Sequence, residues 1–258
     1  MITKNNYASR TYWYDLQKES FGPIAEINKA LRPDCDVSVL AYNNIIYFFA
    51  NNYKLDVERG NNLEERFYFF QYDLVGVTDT LRFRSLKRMR YERRQVASIG
   101  CGNELFIFGG NGNDEILASC ECYNIVNDSW RMIAELPKPR YSCQAVVFSA
   151  CIIAVYGGQV LNGMVDDEDY VESDDVLFYH IDTNTWSTPK WKLPTCTDTM
   201  SFCSSLHVLA EFDELVFISD SCDTWIFDLS TCTWNKIIDC EKEPNLLELD
   251  GKSMVICY

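Results

Sequence analysis

The chain has 258 residues, 47% hydrophobic, 24% charged and 14% aromatic, with a net charge of −15. Charge of that sign argues against nucleic acid and anionic membrane surfaces as partners, because both would repel it. There is no run of 18 or more apolar residues to span a membrane, and the leading MITKNNYASR lacks the apolar core of a secretory signal.

Twelve cysteines would suggest a disulfide framework in a small secreted chain. Here several lie inside apolar runs, such as Cys151 in ACIIAVYGG and Cys257 in MVICY. They read as small buried hydrophobes in a reducing compartment, and a cytoplasmic location is expected, with the nucleus as the alternative. The sequon Asn127-Asp128-Ser129 reads as turn chemistry.

In chain order, TYWYDL and ESFGPI open the sequence as two short strands. DVSVLAYNNIIYFFANN follows, two apolar runs split by Tyr42-Asn43-Asn44. The same form returns in RQVASIGCGNELFIFGG, in SCQAVVFSACIIAVYGG and in SSLHVLAEFDELVFISDS. Each is a β-hairpin signal. The second runs (IIYFF, LFIF, IIAVY, LVFI) are apolar throughout, as strands buried on both faces are. No helical period of useful length interrupts them.

Each hairpin is followed by an aromatic pair of fixed spacing. Tyr123-x6-Trp130 recurs as Tyr179-x6-Trp186, as Phe227-x6-Trp234 and, near the N-terminus, as Tyr14-x6-Phe21. Tyr72 starts a copy without tryptophan, where Leu81 or Phe83 is the substitute. A unit is therefore four strands, with a loop after the second and a turn between the third and fourth. Paired glycines end the second strand at Gly109-Gly110 and Gly157-Gly158; Ala50-Asn51 and Ser219-Asp220 stand in their place elsewhere. Glycine permits backbone angles and close approaches that other residues resist. The aromatics are read as structural, filling wedges between adjacent units.

A unit of about 50 residues with four strands and a double glycine resembles the kelch repeat. The resemblance is carried by Gly109-Gly110 with Tyr123 and Trp130, and by Gly157-Gly158 with Tyr179 and Trp186. It implies an all-β fold, a kelch-type β-propeller of four-stranded blades forming one domain over 1–258. Five blades are counted, with six as the commoner number: 245–258 with 7–32, then 33–87, 88–138, 139–195 and 196–244. In the composite blade NLLELDGKSMVICY, with its Asp250-Gly251 turn, pairs with the N-terminal strands and closes the ring.

Catalytic signatures are sparse. The histidines, His180 and His207, fall within strands. Cys120 and Cys122 form a C-x-C, no C-x-x-C pair exists, and neither a P-loop nor a G-x-S-x-G motif is present. No cofactor and no metal are expected, and a binding module is favoured over an enzyme, with a carboxylate-based enzyme left open. Two charge blocks stand out: the basic connector Arg82–Arg94, with seven basic residues, and the acidic VDDEDYVESDD, Val165–Asp175, with seven carboxylates. Each reads either as a solvated segment or as a docking element.

The resemblance also implies a function. Kelch propellers commonly form the substrate-recognition end of larger proteins that recruit a cullin ubiquitin ligase through BTB and BACK domains. Such domains are absent from this chain, and a start at a third strand fits a domain boundary. A cytoskeletal, actin-binding kelch protein is the alternative. The expected partner is a protein or peptide held on one face. Contacts are expected from the starts of first strands (Arg90, Tyr91, Arg93, Arg140, Tyr141) and from loops after second strands (Asn52, Tyr53, Asn111, Asn113, Asp114, Gln159).

Overall fold

Apolar runs punctuated by Asn, Gly and Asp become antiparallel ladders joined by tight turns. The computed structural model describes residues 12–15, 20–23, 37–51, 67–73, 83–112, 115–161, 170–194, 205–209, 214–218, 224–228 and 231–238. The chain divides into two compact units, Met1–Glu135 and Leu136–Tyr258. Among the described residues there is no helix, and so none long and apolar enough to cross a membrane.

In the first unit, β1 (Tyr12–Asp15) pairs with β2 (Ser20–Pro23). β3 (Val37–Tyr42), β4 (Ile45–Asn51), β5 (Phe67–Asp73) and β6 (Phe83–Ser85) form one four-stranded sheet in chain order. The turn between β3 and β4 holds Asn43 and Asn44 at φ 50° and 61°, the left-handed pair that a two-residue hairpin requires. The second sheet takes β7 (Ala97–Cys101), β8 (Glu104–Phe108), β11 (Cys120–Asn124) and β12 (Ser129–Ile133) in that spatial order. Between its second and third strands stands a small hairpin of β9 (Asn111–Gly112) and β10 (Glu115–Ile116).

The second unit repeats the plan. β13 (Gln144–Ser149), β14 (Ile152–Tyr156), β17 (Val176–His180) and β18 (Thr185–Ser187) make one sheet, with the hairpin β15 (Gln159–Leu161) and β16 (Tyr170–Glu172) inserted after β14. β19 (Ser205–Leu209), β20 (Glu214–Ile218), β21 (Thr224–Asp228) and β22 (Thr233–Ile238) make the other. Four blades of the expected strand order are thus seen. The strands expected from 245–258 lie outside the described residues.

The repeat's aromatics are opposed across the third and fourth strands. Tyr123 faces Trp130, Tyr179 faces Trp186, and Phe227 faces Trp234 in register. Tyr14 likewise faces Phe21, and Tyr72 faces Phe83, which resolves the choice between Leu81 and Phe83. Opposed positions share a face, so Tyr123 with Trp130, Tyr179 with Trp186 and Phe227 with Trp234 each present one aromatic surface. In the first unit that surface packs on the preceding sheet. Tyr123 and Trp130 both meet the ring of Phe69, at 4.8 and 5.1 Å. The indole N–H of Trp130 donates to the carbonyl of Lys87 (2.7 Å). In the second unit Trp234 donates to the carbonyl of Lys192 (2.7 Å), and Phe227 packs on Trp191 at 4.9 Å.

The second strands β4, β8 and β14 are buried on both faces, which is why they read as unbroken apolar runs. In β4, Tyr47 and Phe49 join the cluster that also holds Leu105, Ile107 and Tyr123, while Phe48 joins Phe70 and Tyr72 on the other face. Cys120 and Cys122 are fully buried, and burial, with Glu104 adding, pushes the Cys122 thiol up to about 12. It behaves as a small hydrophobe, not a nucleophile.

Candidate partner-binding face

After β6, Leu86 is buried and anchors the connector that leads to the next blade. What fixes the rest of the connector is one carboxylate. Glu121, on β11 and 0% exposed, accepts the backbone N–H groups of Arg90 (2.8 Å) and Tyr91 (3.1 Å) and the guanidinium of Arg93 (2.8 Å). Arg93 is itself 1% exposed. It also donates to the carbonyls of Gly109 (3.0 Å) and Ser119 (2.5 Å) and to the Ser119 hydroxyl (3.0 Å). Burial pulls its guanidinium below the usual arginine range, and Glu121 opposes that shift. A buried ion pair is tolerated when its remaining donors and acceptors are met in this way.

With the backbone held, the side chains of Arg90 and Tyr91 turn outward. Arg90 is exposed and lies 5.7 Å over the Tyr91 ring, which is 41% exposed. Just beyond, Arg94 and Asn111 exchange backbone hydrogen bonds at 2.7 and 2.8 Å, joining the connector to the post-glycine hairpin. That closeness explains Gly110. Its φ is +103°, and a Cβ there would lie 2.7 Å from the Arg94 carbonyl oxygen.

The second unit builds the same end from different residues. Arg140, 1% exposed, donates to the Gly157 carbonyl (3.1 Å). Tyr141 and Gln159 exchange backbone bonds at 3.2 and 2.9 Å. Gly158, φ +80°, would set a Cβ 2.6 Å from the Tyr141 carbonyl oxygen.

The structure therefore divides the expected contact residues. Arg90 and Tyr91 are exposed, and Asn111, Tyr141 and Gln159 are half-buried where connector and hairpin meet. Arg93 and Arg140 are corrected: both are sealed inside their blades, because the carbonyls ending the second strand need cationic donors there. Asn52, Tyr53, Asn113 and Asp114 lie outside the described residues. Two further positions stand beside these residues. Gln95 and Ser142, each two residues after a buried arginine, hold left-handed backbone angles of φ 51° and 54°. Gln95 is exposed, and the Ser142 hydroxyl is buried without a hydrogen-bond partner. The repeated spacing Arg-x-Gln and Arg-x-Ser ahead of each first strand was the available signal.

Residues 92–137 match the family model of the Kelch motif. The chain is 34% identical to Alpha-scruin of Limulus polyphemus over 84 residues, 32% of this chain and 9% of that protein. It is 27% identical to the Kelch repeat and BTB domain-containing protein 2 of Ectromelia virus (strain Moscow) over 138 residues, 50% of this chain and 23% of that one. It is 30% identical to the human Influenza virus NS1A-binding protein over 89 residues, 34% of this chain and 13% of that one. The chain thus spans less than a quarter of the length of these relatives. The structure is similar to that titled "Structure of YjhT", with a TM-score of 0.55 at 16% identity, covering 79% of this chain and 65% of the other. At that identity the likeness concerns the fold alone. Repeat, strand order and motif match agree: the chain carries a Kelch motif at residues 92–137 and is built from four-stranded, propeller-type blades.

Proposed function

We propose that the chain is a protein-recognition module, the substrate-binding part of a cullin ubiquitin ligase adaptor of the BTB-kelch kind. The observation that carries it is the end of the blade after β6. Glu121 and Arg93 hold the connector rigidly, and Arg90, Tyr91 and Gln95 are left on its surface. Fixed backbone with exposed arginine, tyrosine and amide side chains suits recognition of a protein segment, because little ordering entropy remains to be lost. The similarity to a kelch repeat and BTB domain-containing protein over half the chain supports the ligase reading.

Capture of the full-length protein from cells tests it. A cullin is expected among the captured proteins. Combining Arg90→Glu with Gln95→Ala should remove the substrate proteins and leave the cullin, since both side chains are exposed. An unchanged captured set with an intact fold would overturn the placement of the site. Actin as the main captured protein, without a cullin, would overturn the ligase reading.

A further inference from the structure

The connector between β6 and β7 alternates inward anchors with outward cations. Leu86 is buried and Met89 packs on the core cluster that holds Phe69 and Leu105, while Lys87, Arg88 and Arg90 are exposed. The backbone under these cations is fixed. Leu86 donates its N–H to the Phe69 carbonyl (2.9 Å), and Lys87 is tied at both its N–H, by Asp128, and its carbonyl, by the Trp130 indole. The charges, by contrast, are left bare. Arg84 reaches Asp128 only at 3.9 Å. Among the described residues Lys87, Arg88 and Arg90 have no ion-pair partner, and the connector's own carboxylate, Glu92, is half-buried and pairs with none of them. Arg88 lies 5.0 Å over the Tyr68 ring, as Arg90 lies over Tyr91. A guanidinium resting on a ring is held in place with N–H donors still open to an acceptor.

The second unit shows what such a position accepts. Lys192 is the counterpart of Lys87, since its carbonyl takes the indole N–H of Trp234 as that of Lys87 takes the indole N–H of Trp130. Lys192 is met by Asp174 at 2.8 Å and Asp175 at 3.5 Å. Asp175 stands four residues before the repeat's Tyr179, and the residue four before Tyr72 is Tyr68. The first unit thus has a ring where the second has a neutralising carboxylate, and building the connector does not need bare cations. We propose that Lys87, Arg88 and Arg90 dock a short segment of a partner protein rich in aspartate and glutamate. Its carboxylates meet these cations as Asp174 and Asp175 meet Lys192, and each arginine can fork onto one. The net charge of −15 selects a short segment, because a long polyanion running past the stripe is repelled by the rest of the surface. This rests on the recognition reading above and names the chemistry of the segment it takes.

Two labelled peptides of equal length, EDEDEDEDE and QNQNQNQNQ, test the stripe by fluorescence anisotropy. The wild type should bind the acidic peptide at least about tenfold tighter than the neutral one, although its own charge of −15 opposes this. Lys87→Gln with Arg88→Gln should remove the preference. Both side chains are exposed and the backbone bonds of Lys87 remain, so the melting midpoint should hold. Lys192→Gln, which removes a cation that is already paired, should leave the preference unchanged. Equal affinity for the two peptides, a preference that survives the double substitution, or an equal loss with Lys192→Gln would overturn the inference. A single-stranded oligonucleotide of the same charge that binds the stripe tighter than the acidic peptide would overturn it in favour of nucleic acid. A wild-type dimer in sedimentation that the double substitution renders monomeric would overturn it in favour of a second copy. Substrate capture in cells that still depends on Arg90 and Gln95 after any of these results would leave the recognition module standing and remove this docking stripe alone.

Discussion

Leu177 stands in the second unit where Glu121 stands in the first. Each lies two residues before the repeat's tyrosine, and each pairs with the residue two before the double glycine, Ile107 or Val155. The exchange leaves the two buried arginines in different circumstances. Arg93 has a carboxylate at 2.8 Å with both side chains sealed from solvent. Arg140 has the Gly157 carbonyl, and its Nε has no partner. Arg93→Met should therefore cost about 3–5 kcal/mol, because it strands a buried carboxylate. Arg140→Met should cost about 1–2 kcal/mol, mainly for the orphaned carbonyl. Urea denaturation of both variants checks this, and equal losses would contradict the distinction.

The indole of Trp130 holds two sheets together by both ring and N–H. Trp130→Phe keeps the contact with Phe69 and loses the bond to the Lys87 carbonyl, which is exposed and can turn to water. A loss of about 1 kcal/mol is expected. Trp130→Ala removes the ring as well and should cost about 3 kcal/mol, the low end for large aromatics because this one is only half-buried. Similar losses for the two variants would show that the ring packing carries little.

A second polar pair gives a pH dependence. The Tyr123 hydroxyl donates to Asp128 at 2.8 Å, and Asp128 also accepts the Lys87 N–H at 3.0 Å. Burial, with the bond to Asp128 adding, raises the Tyr123 hydroxyl above the usual tyrosine range, so it stays a donor at neutral pH. For Asp128, burial pushes upward, but the Lys87 N–H, the Tyr123 hydroxyl and Arg84 outweigh it. Its carboxyl sits below the usual carboxylate range. A carboxylate depressed in the folded state contributes stability that is present above its unfolded value. That contribution is lost as pH falls through the folded value. Asp128→Asn, tolerated at φ 47°, should be less stable than wild type at pH 7, and the gap should close between roughly pH 5 and pH 2. Denaturation midpoints across that range are the measurement, and a gap constant with pH would count against the charge.

Close approach, more than backbone angle, governs the second glycine of each pair. Gly110→Ala and Gly158→Ala force a Cβ against a carbonyl oxygen at 2.7 and 2.6 Å. Gly102, at φ +62°, has nothing within 4 Å of the same added atom. Its substitution should cost about 1 kcal/mol of backbone strain. The other two should lose several times that and perturb the bridges from Arg94 to Asn111 and from Tyr141 to Gln159. Circular dichroism melting ranks the three.

Blade architecture was legible in the sequence because it depends on local and periodic chemistry. Apolar runs of strand length, Asn or Gly turns and the six-residue gap between aromatics each fix a hairpin or a register without reference to distant residues. The spacing even contains the Tyr123–Asp128 and Tyr179–Asn184 hydrogen bonds, with Phe227 and Cys232 as the pair without a hydroxyl donor or a carboxyl or amide acceptor. The site was only half legible. Arginine and tyrosine at strand starts looked alike as contact residues, and the sequence could not say which guanidinium points inward. That was decided in three dimensions, where the carbonyls of Gly109, Ser119 and Gly157 are brought beside Arg93 and Arg140 from 16 to 26 residues away. Those acceptors need a donor once water is excluded, so the arginines are drawn inward, and Arg90 and Gln95 are the side chains left on the surface.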